Sequence, residues 1–149
     1  MAQLKWIHKK FEEFDLNEFY RIAALRQAIF VVEQNCAYQD LDYKDFEAHH
    51  LVGYYDGLPV AYCRVYDRQN QFIHIGRVAV AKDYRGRQLA YALMEYAHSI
   101  IQEQFTSTTT IVISAQKYLQ PFYRKLGYRK VGKEYLEDGI PHIEMRKSL

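Results

Sequence analysis

Apolar positions change period several times along the chain, and each change marks an element. Strand formers scattered through LKWIHKKF, Leu4 to Phe11, predict a short first strand. Asp15 and Glu18 have the spacing of a capping box. Leu16, Phe19, Ala23, Leu25, Ile29 and Val32 follow at helical spacing, which predicts a first helix over 16–32. Residues 35–48 lose that period and carry aspartates at 40, 42 and 45, the pattern of a functional loop or irregular turn. HLVGYY and LPVAYCRVY then alternate with a period of two around Asp56-Gly57, a dipeptide suited to the positive φ of a tight hairpin. QFIHIGRVAVA adds a third strand beyond the polar turn DRQN at 67–70.

Leu89, Leu93, Tyr96 and Ile100 form the apolar face of a second helix. TTTIVISA is a β-branched strand after a Thr-rich turn at 106–110, and KYLQPFYRKL is a third helix closed by Gly127. Pro121 lacks an N–H, which is harmless only near a helix start, so that helix is expected to begin near 118. YRKVGKEYL and IPHIEMRK pair across Glu137-Asp138-Gly139 as a terminal hairpin. The order is strand, helix, three strands, helix, strand, helix, two strands. It predicts one α/β domain, of the α+β type, over 1–149.

Composition narrows the function. The 149 residues, with 49% hydrophobic and 26% charged, suit one folded domain with a continuous core. Lys and Arg outnumber Asp and Glu by only 20 to 18, which argues against a nucleic-acid backbone or an anionic membrane as the main partner. The first twenty residues mix charge throughout, and no apolar run approaches the ~18 residues of a membrane span, so a cytoplasmic protein is expected. Cys36 and Cys63 lie far apart without metal-site spacing and are expected to be reduced thiols. His49 and His50 face opposite ways on a strand, and no metal is expected.

AVAKDYRGRQLAYALMEYAHSI, residues 79–100, places Arg85-Gly86-Arg87 where a helix begins. Unpaired N–H groups and the positive dipole end make such a place attractive to phosphate; the alternative is an ordinary solvated loop. Arg124, Lys125, Arg129, Lys130 and Lys133 form a second basic cluster, open between a further phosphate site and plain surface.

The GRVAV strand, Arg-Gly turn, helix, strand and Phe-Tyr helix resemble, in that order, the GNAT superfamily of acetyl-CoA-dependent N-acyltransferases. AIFVVEQNCAYQDLD from Ala28 to Asp42, IGRVAV, LQPFYRKLGY and YLEDGIPHIEM are similar to the ElaA-like branch in particular. The resemblance implies a mixed sheet of six to seven strands flanked by helices, with acetyl-CoA as co-substrate. It also implies that Val78, Ala79 and Val80 meet the pantetheine arm. Arg85, Gly86, Arg87, Gln88, Leu89 and Ala90 would hold the pyrophosphate, with Gln116 and Phe122 bordering the coenzyme and Tyr123 near the sulfur. Gln34, Asp40, Asp42 and His142 would border the acceptor. Gln88 departs from the pattern by standing where the first motif glycine is expected; its N–H can still donate, and no positive φ is expected there.

Acetyl transfer by direct attack needs oxyanion donors, a base and an acid, and no covalent enzyme intermediate. Donors are expected where strand 72–81 parts from its neighbour, around Val78. Tyr123 is the acid, or else a core tyrosine beside Phe122. For the base, His74 shares a strand face with Gly76 and Val78 by the period of two, Glu33 is its rival, and an ordered water could replace both. Glu33, Asp40, Asp42, Asp45 and Glu47 are opposed within their own stretch only by Lys44, which suits a cationic acceptor, a small amine or a lysine or N-terminal amine; the alternative is a merely soluble loop. A non-catalytic acyl-CoA-binding regulatory module is the competing function, and the oligomeric state, a homodimer included, stays open.

Overall fold

The computed structural model describes residues 3–68, 72–108 and 110–149. Gln69, Asn70 and Thr109, which belong to the two expected turns, lie outside the described residues. Seven strands form one sheet: β1 (Leu4–Lys10), β2 (His49–Tyr55), β3 (Leu58–Arg68), β4 (Phe72–Val80), β5 (Thr110–Gln116), β6 (Arg129–Glu137) and β7 (Ile140–Ser148). Their spatial order is β1-β2-β3-β4-β5-β7-β6. All neighbours are antiparallel except β4 and β5, which pair in parallel through the crossover helix α2 (Leu89–Gln104).

Both faces of the sheet are covered. On one, Leu93, Met94, Ala97 and Ile101 of α2 pack with Tyr123 and Leu126 against Leu51, Cys63, Val65, Ile73, Ile75 and Met145. On the other, Ile22 of α1 (Leu16–Arg26) packs against Val52 and Tyr62. Asp15 caps α1 by accepting from the Glu18 N–H at 2.7 Å while Glu18 returns a bond to the Asp15 N–H, as the Asp-x-x-Glu spacing predicts.

Three sequence expectations are corrected. The helix expected over 16–32 is α-helical only to Arg26 and continues as a π-helix over Gln27–Glu33. Leu16 and Val32, placed on its apolar face, are 91% and 71% exposed, and the face that packs is Ile22, Arg26 and Ile29. Helix α3 (Gln120–Lys125) starts two residues later than expected, after a 3-10 turn, with Pro121 in its first turn. Gly127, at φ 95, ends it as expected.

The third correction concerns β4. Arg64 faces Gly76 and Tyr62 faces Ala79, so Arg77 and Val78 together oppose Cys63. This is a β-bulge, with Arg77 at φ 53. It reverses the alternation: Val78 and Val80 pack on the α2 side with Ile73 and Ile75, while His74 and Gly76 face the α1 side. His74 and Val78 therefore lie on opposite faces, contrary to a straight count by two.

Candidate active site

The bulge opens the sheet. β4 and β5 pair at only three positions, Phe72, Ile73 and His74, after which they diverge. A cavity of about 890 Å³ lies in the gap, walled by Ile75 to Val80 on one side and by Ile113, Ser114 and Gln116 on the other. The π-helical segment supplies Ile29, Phe30 and Glu33, the start of α2 supplies Gln88, Leu89 and Ala90, and α3 supplies Phe122 and Tyr123. π-helices recur at functional sites because the extra residue re-aims side chains; here it turns Glu33 and Gln34 into the cavity.

Bulge geometry rests on a buried charge network. Arg26, fully buried, donates to Asp40 at 2.9 Å and to Asp45 at 2.7 Å. Arg64 holds Asp42 with two bonds of 2.7 and 2.8 Å and reaches Asp45 at 3.0 Å. Arg77 donates to the Asp40 carboxylate at 2.7 Å and to its backbone carbonyl at 3.0 Å. Three arginines from α1, β3 and β4 thus neutralise the three aspartates of the 35–48 loop. Burial raises the Asp42 pKa, but the Arg64 hydrogen bond and charge outweigh it and hold the carboxyl below the usual carboxylate range.

Tyr123 is 5% exposed and lies in the cavity wall. Among the described residues its hydroxyl has no hydrogen-bond partner, and its ring rests edge-on against Phe122 and Tyr128. Burial raises its pKa above that of a free phenol, so it stays protonated at neutral pH. At the far end, His142 is buried, with Nδ1 2.7 Å from the Ile140 carbonyl and Nε2 3.4 Å from Glu137.

Helix α2 begins without a side-chain cap, so its first N–H groups stay available. Gly86 at φ 78 has open space where a Cβ would stand. Gln88 adopts φ 60 and ψ 24, overturning the expectation that no positive φ is needed at this departure from the glycine motif. Arg85 does not point freely at this space: it bonds the Val80 carbonyl at 3.0 Å and Glu33 at 2.9 Å, and Arg87 lies over the Tyr84 ring at 5.0 Å. The Arg85 hydrogen bond is the main cause that lowers the Glu33 pKa, which makes Glu33 a weak proton acceptor.

The cavity therefore brings together Glu33, Gln34, Val78, Ala79, Val80, Arg85, Gly86, Gln88, Leu89, Ala90, Gln116, Phe122, Tyr123 and His142. His74, Arg87, Asp40 and Asp42 are not among its lining residues. His74 packs beside Tyr66, with ring centroids 4.9 Å apart, and the two aspartates serve the arginine network. Sequence reasoning missed Tyr38, Arg77 and Glu137 in the lining. Arg77 carried a readable signal, since a cation inside the apolar run IGRVAV must find partners when buried. Among the described residues there is no cluster of three or more metal-ligating side chains, and no helix is long and apolar enough to cross a membrane.

Comparison with known proteins agrees with this geometry. A family profile described as Acetyltransferase (GNAT) domain matches residues 18–149. A UPF0039 protein of Schizosaccharomyces pombe is 43% identical over the full length of both chains. Escherichia coli ElaA is 33% identical over 98% of this chain and 97% of its own, and its crystal structure superposes with a TM-score of 0.91, covering 97% of this chain and 99% of that one. An acyl-CoA N-acyltransferase from Pseudomonas aeruginosa, 38% identical, also gives 0.91, over 97% of this chain and 99% of that one. On the family match and these full-length relatives, the chain belongs to the GNAT acetyltransferase family, in its ElaA-like branch, and is an acetyltransferase.

Proposed function

We propose that this enzyme moves an acetyl group from acetyl-CoA to a primary amine by direct attack, with Tyr123 as the acid for the departing thiolate. The observation that carries the reading is Tyr123 itself, a buried phenol on the wall of the β4–β5 gap with no hydrogen-bond partner among the described residues. GNAT folds use acetyl-CoA, and the residues present fit that coenzyme. The uncapped start of α2 and the open space at Gly86 suit its pyrophosphate, and the β4 edge from Ile75 to Val80, which has no ladder partner on its β5 side, suits the pantetheine amides. Bound there, the coenzyme supplies an activated thioester.

Backbone N–H groups on that edge, around Val78, would hold the carbonyl oxygen as it gains charge. Tyr123 keeps its proton until the thiolate departs, which is the state a general acid needs. Glu33, committed to Arg85, and His74, outside the cavity lining, are poor candidates for the base. Tyr123→Phe is nearly isosteric, so it should keep the wild-type melting temperature and acetyl-CoA binding while lowering kcat about 10² to 10⁴-fold. A Phe variant with wild-type kcat, under conditions where chemistry limits turnover, would return Tyr123 to the core.

A further inference from the structure

We propose that His142 and Glu137 form the acceptor end of the cleft. Glu137 holds the ammonium of a primary amine, and His142 Nε2 takes its proton. The inference rests on the acetyl-transfer reading and deepens it.

A carbonyl oxygen can only accept, so the 2.7 Å contact between His142 Nδ1 and the Ile140 carbonyl fixes a proton on Nδ1. In the neutral ring of that tautomer the lone pair is at Nε2. That nitrogen lies 3.4 Å from the Glu137 carboxylate, so in the neutral form two acceptors face each other across a narrow space. A primary ammonium, with three N–H donors and a charge opposite to that of Glu137, can complete the pair. Burial separates the roles: the His142 side chain is 8% exposed and fixed, whereas Glu137 is half exposed and can meet an incoming cation.

The surroundings favour the same occupant. Tyr135 of β6 lies parallel to the imidazole at 6.2 Å, and Gln116 of β5 stands beside it in register. Ser114 Oγ donates to Glu137 at 3.4 Å, and Asp138 of the β6–β7 turn lines the same cavity. Among the described residues Glu137 and Tyr135 flank the imidazole, and Asp138, whose carbonyl Cys36 reaches at 3.6 Å, lines the same cavity together with Glu33, Arg85, Tyr118, Tyr123 and Lys125. Tyr123 lines this cavity too, so acid and base share one space. The ammonium gives one proton to Nε2 and the freed nitrogen lone pair bonds to the acetyl carbon. The C–S bond breaks, its electron pair stays on sulfur, and sulfur takes the Tyr123 proton. A second proton leaves the acetylated nitrogen for solvent, the imidazolium gives its proton to solvent, and the phenolate regains one.

The test uses the full chain labelled with ¹⁵N-histidine and needs no acetyl-CoA. Methylammonium chloride is titrated against sodium chloride at matched ionic strength, with the His142 resonances identified by their loss in His142→Gln. The expected result is an Nδ1-protonated ring whose Nε2 resonance shifts saturably with methylammonium. Glu137→Gln should weaken that response about tenfold or more, as loss of a charge-assisted hydrogen bond implies. An Nε2-protonated ring, or a methylammonium response no larger than that of sodium chloride, overturns the proposal. With methylamine as acceptor, His142→Gln should lower kcat about 10²-fold and remove the acid-side limb of the pH profile, with the acetyl-CoA-induced rise in melting temperature unchanged. An unaltered pH profile also overturns it. If thiol release fails with every amine while the saturable shift persists, the acetyl-transfer reading falls and the ammonium site stands.

Discussion

Gln88 holds φ 60 and ψ 24 at the cap of α2. A left-handed conformation costs a residue with a Cβ about 1–2 kcal/mol, whereas glycine returns roughly 0.4–1 kcal/mol of that gain through its freer unfolded state. Gln88→Gly should therefore stabilise the fold by up to about 1.6 kcal/mol, read as a higher urea midpoint at unchanged slope. A lower midpoint would mean that the glutamine side chain contributes more than its backbone costs. Glutamine is not a residue that announces a positive φ, and neither is arginine, so the turns at Gln88 and Arg77 were hidden from the sequence. Gly127 was legible because a helix stop ordinarily demands glycine.

Strand β4 is the element on which the site turns, because its bulge reverses the side-chain alternation and ends the pairing with β5 at His74. Arg77 at the bulge is held by Asp40, which Arg26 holds in turn, so a loop remote in sequence fixes the strand's shape. Breaking a buried ion pair by removing one partner costs about 3–5 kcal/mol. Asp40→Asn should lose stability in that range and also bind acetyl-CoA more weakly, as the bulge loses its anchor; thermal unfolding with and without ligand measures both. Loss of stability with wild-type coenzyme affinity would uncouple the loop from the bulge. Local periodicity could not reveal this arrangement. It located α2 and all seven strands, yet the arginine partners of Asp40, Asp42 and Asp45 are 14 to 37 residues away along the chain. For the same reason the loop that looked acidic in sequence is neutralised in the fold.

At the scale of the molecule, buried histidines set the response to acid. Desolvation, helped by Lys147, lowers the His98 pKa to about 4, and its Nε2 meets the Tyr128 hydroxyl at 2.7 Å. A folded-state pKa below the unfolded value means that stability is fully present above about pH 6.5 and is lost as pH falls towards 4. The loss from His98 is on the order of 3 kcal/mol, and burial shifts His8, His49 and His50 in the same direction. Urea unfolding should show stability falling across this interval, before carboxylates protonate. His98→Gln should flatten the fall, and an unchanged slope would remove His98 as its source. The charge balance that argued against a nucleic-acid partner, the Phe-Tyr helix and the Arg-Gly turn were all legible from the chain, and they led to the family. The cavity was not, because it exists only where two strands part. Acetyl transfer to an amine at this cavity is tested most directly by incubating the purified enzyme with acetyl-CoA and a panel of primary amines, measuring free thiol and acetylated amine together. Both are expected to appear in equal amounts and only when an amine is present. Thiol release without acetylated amine, or none with any amine, would contradict it.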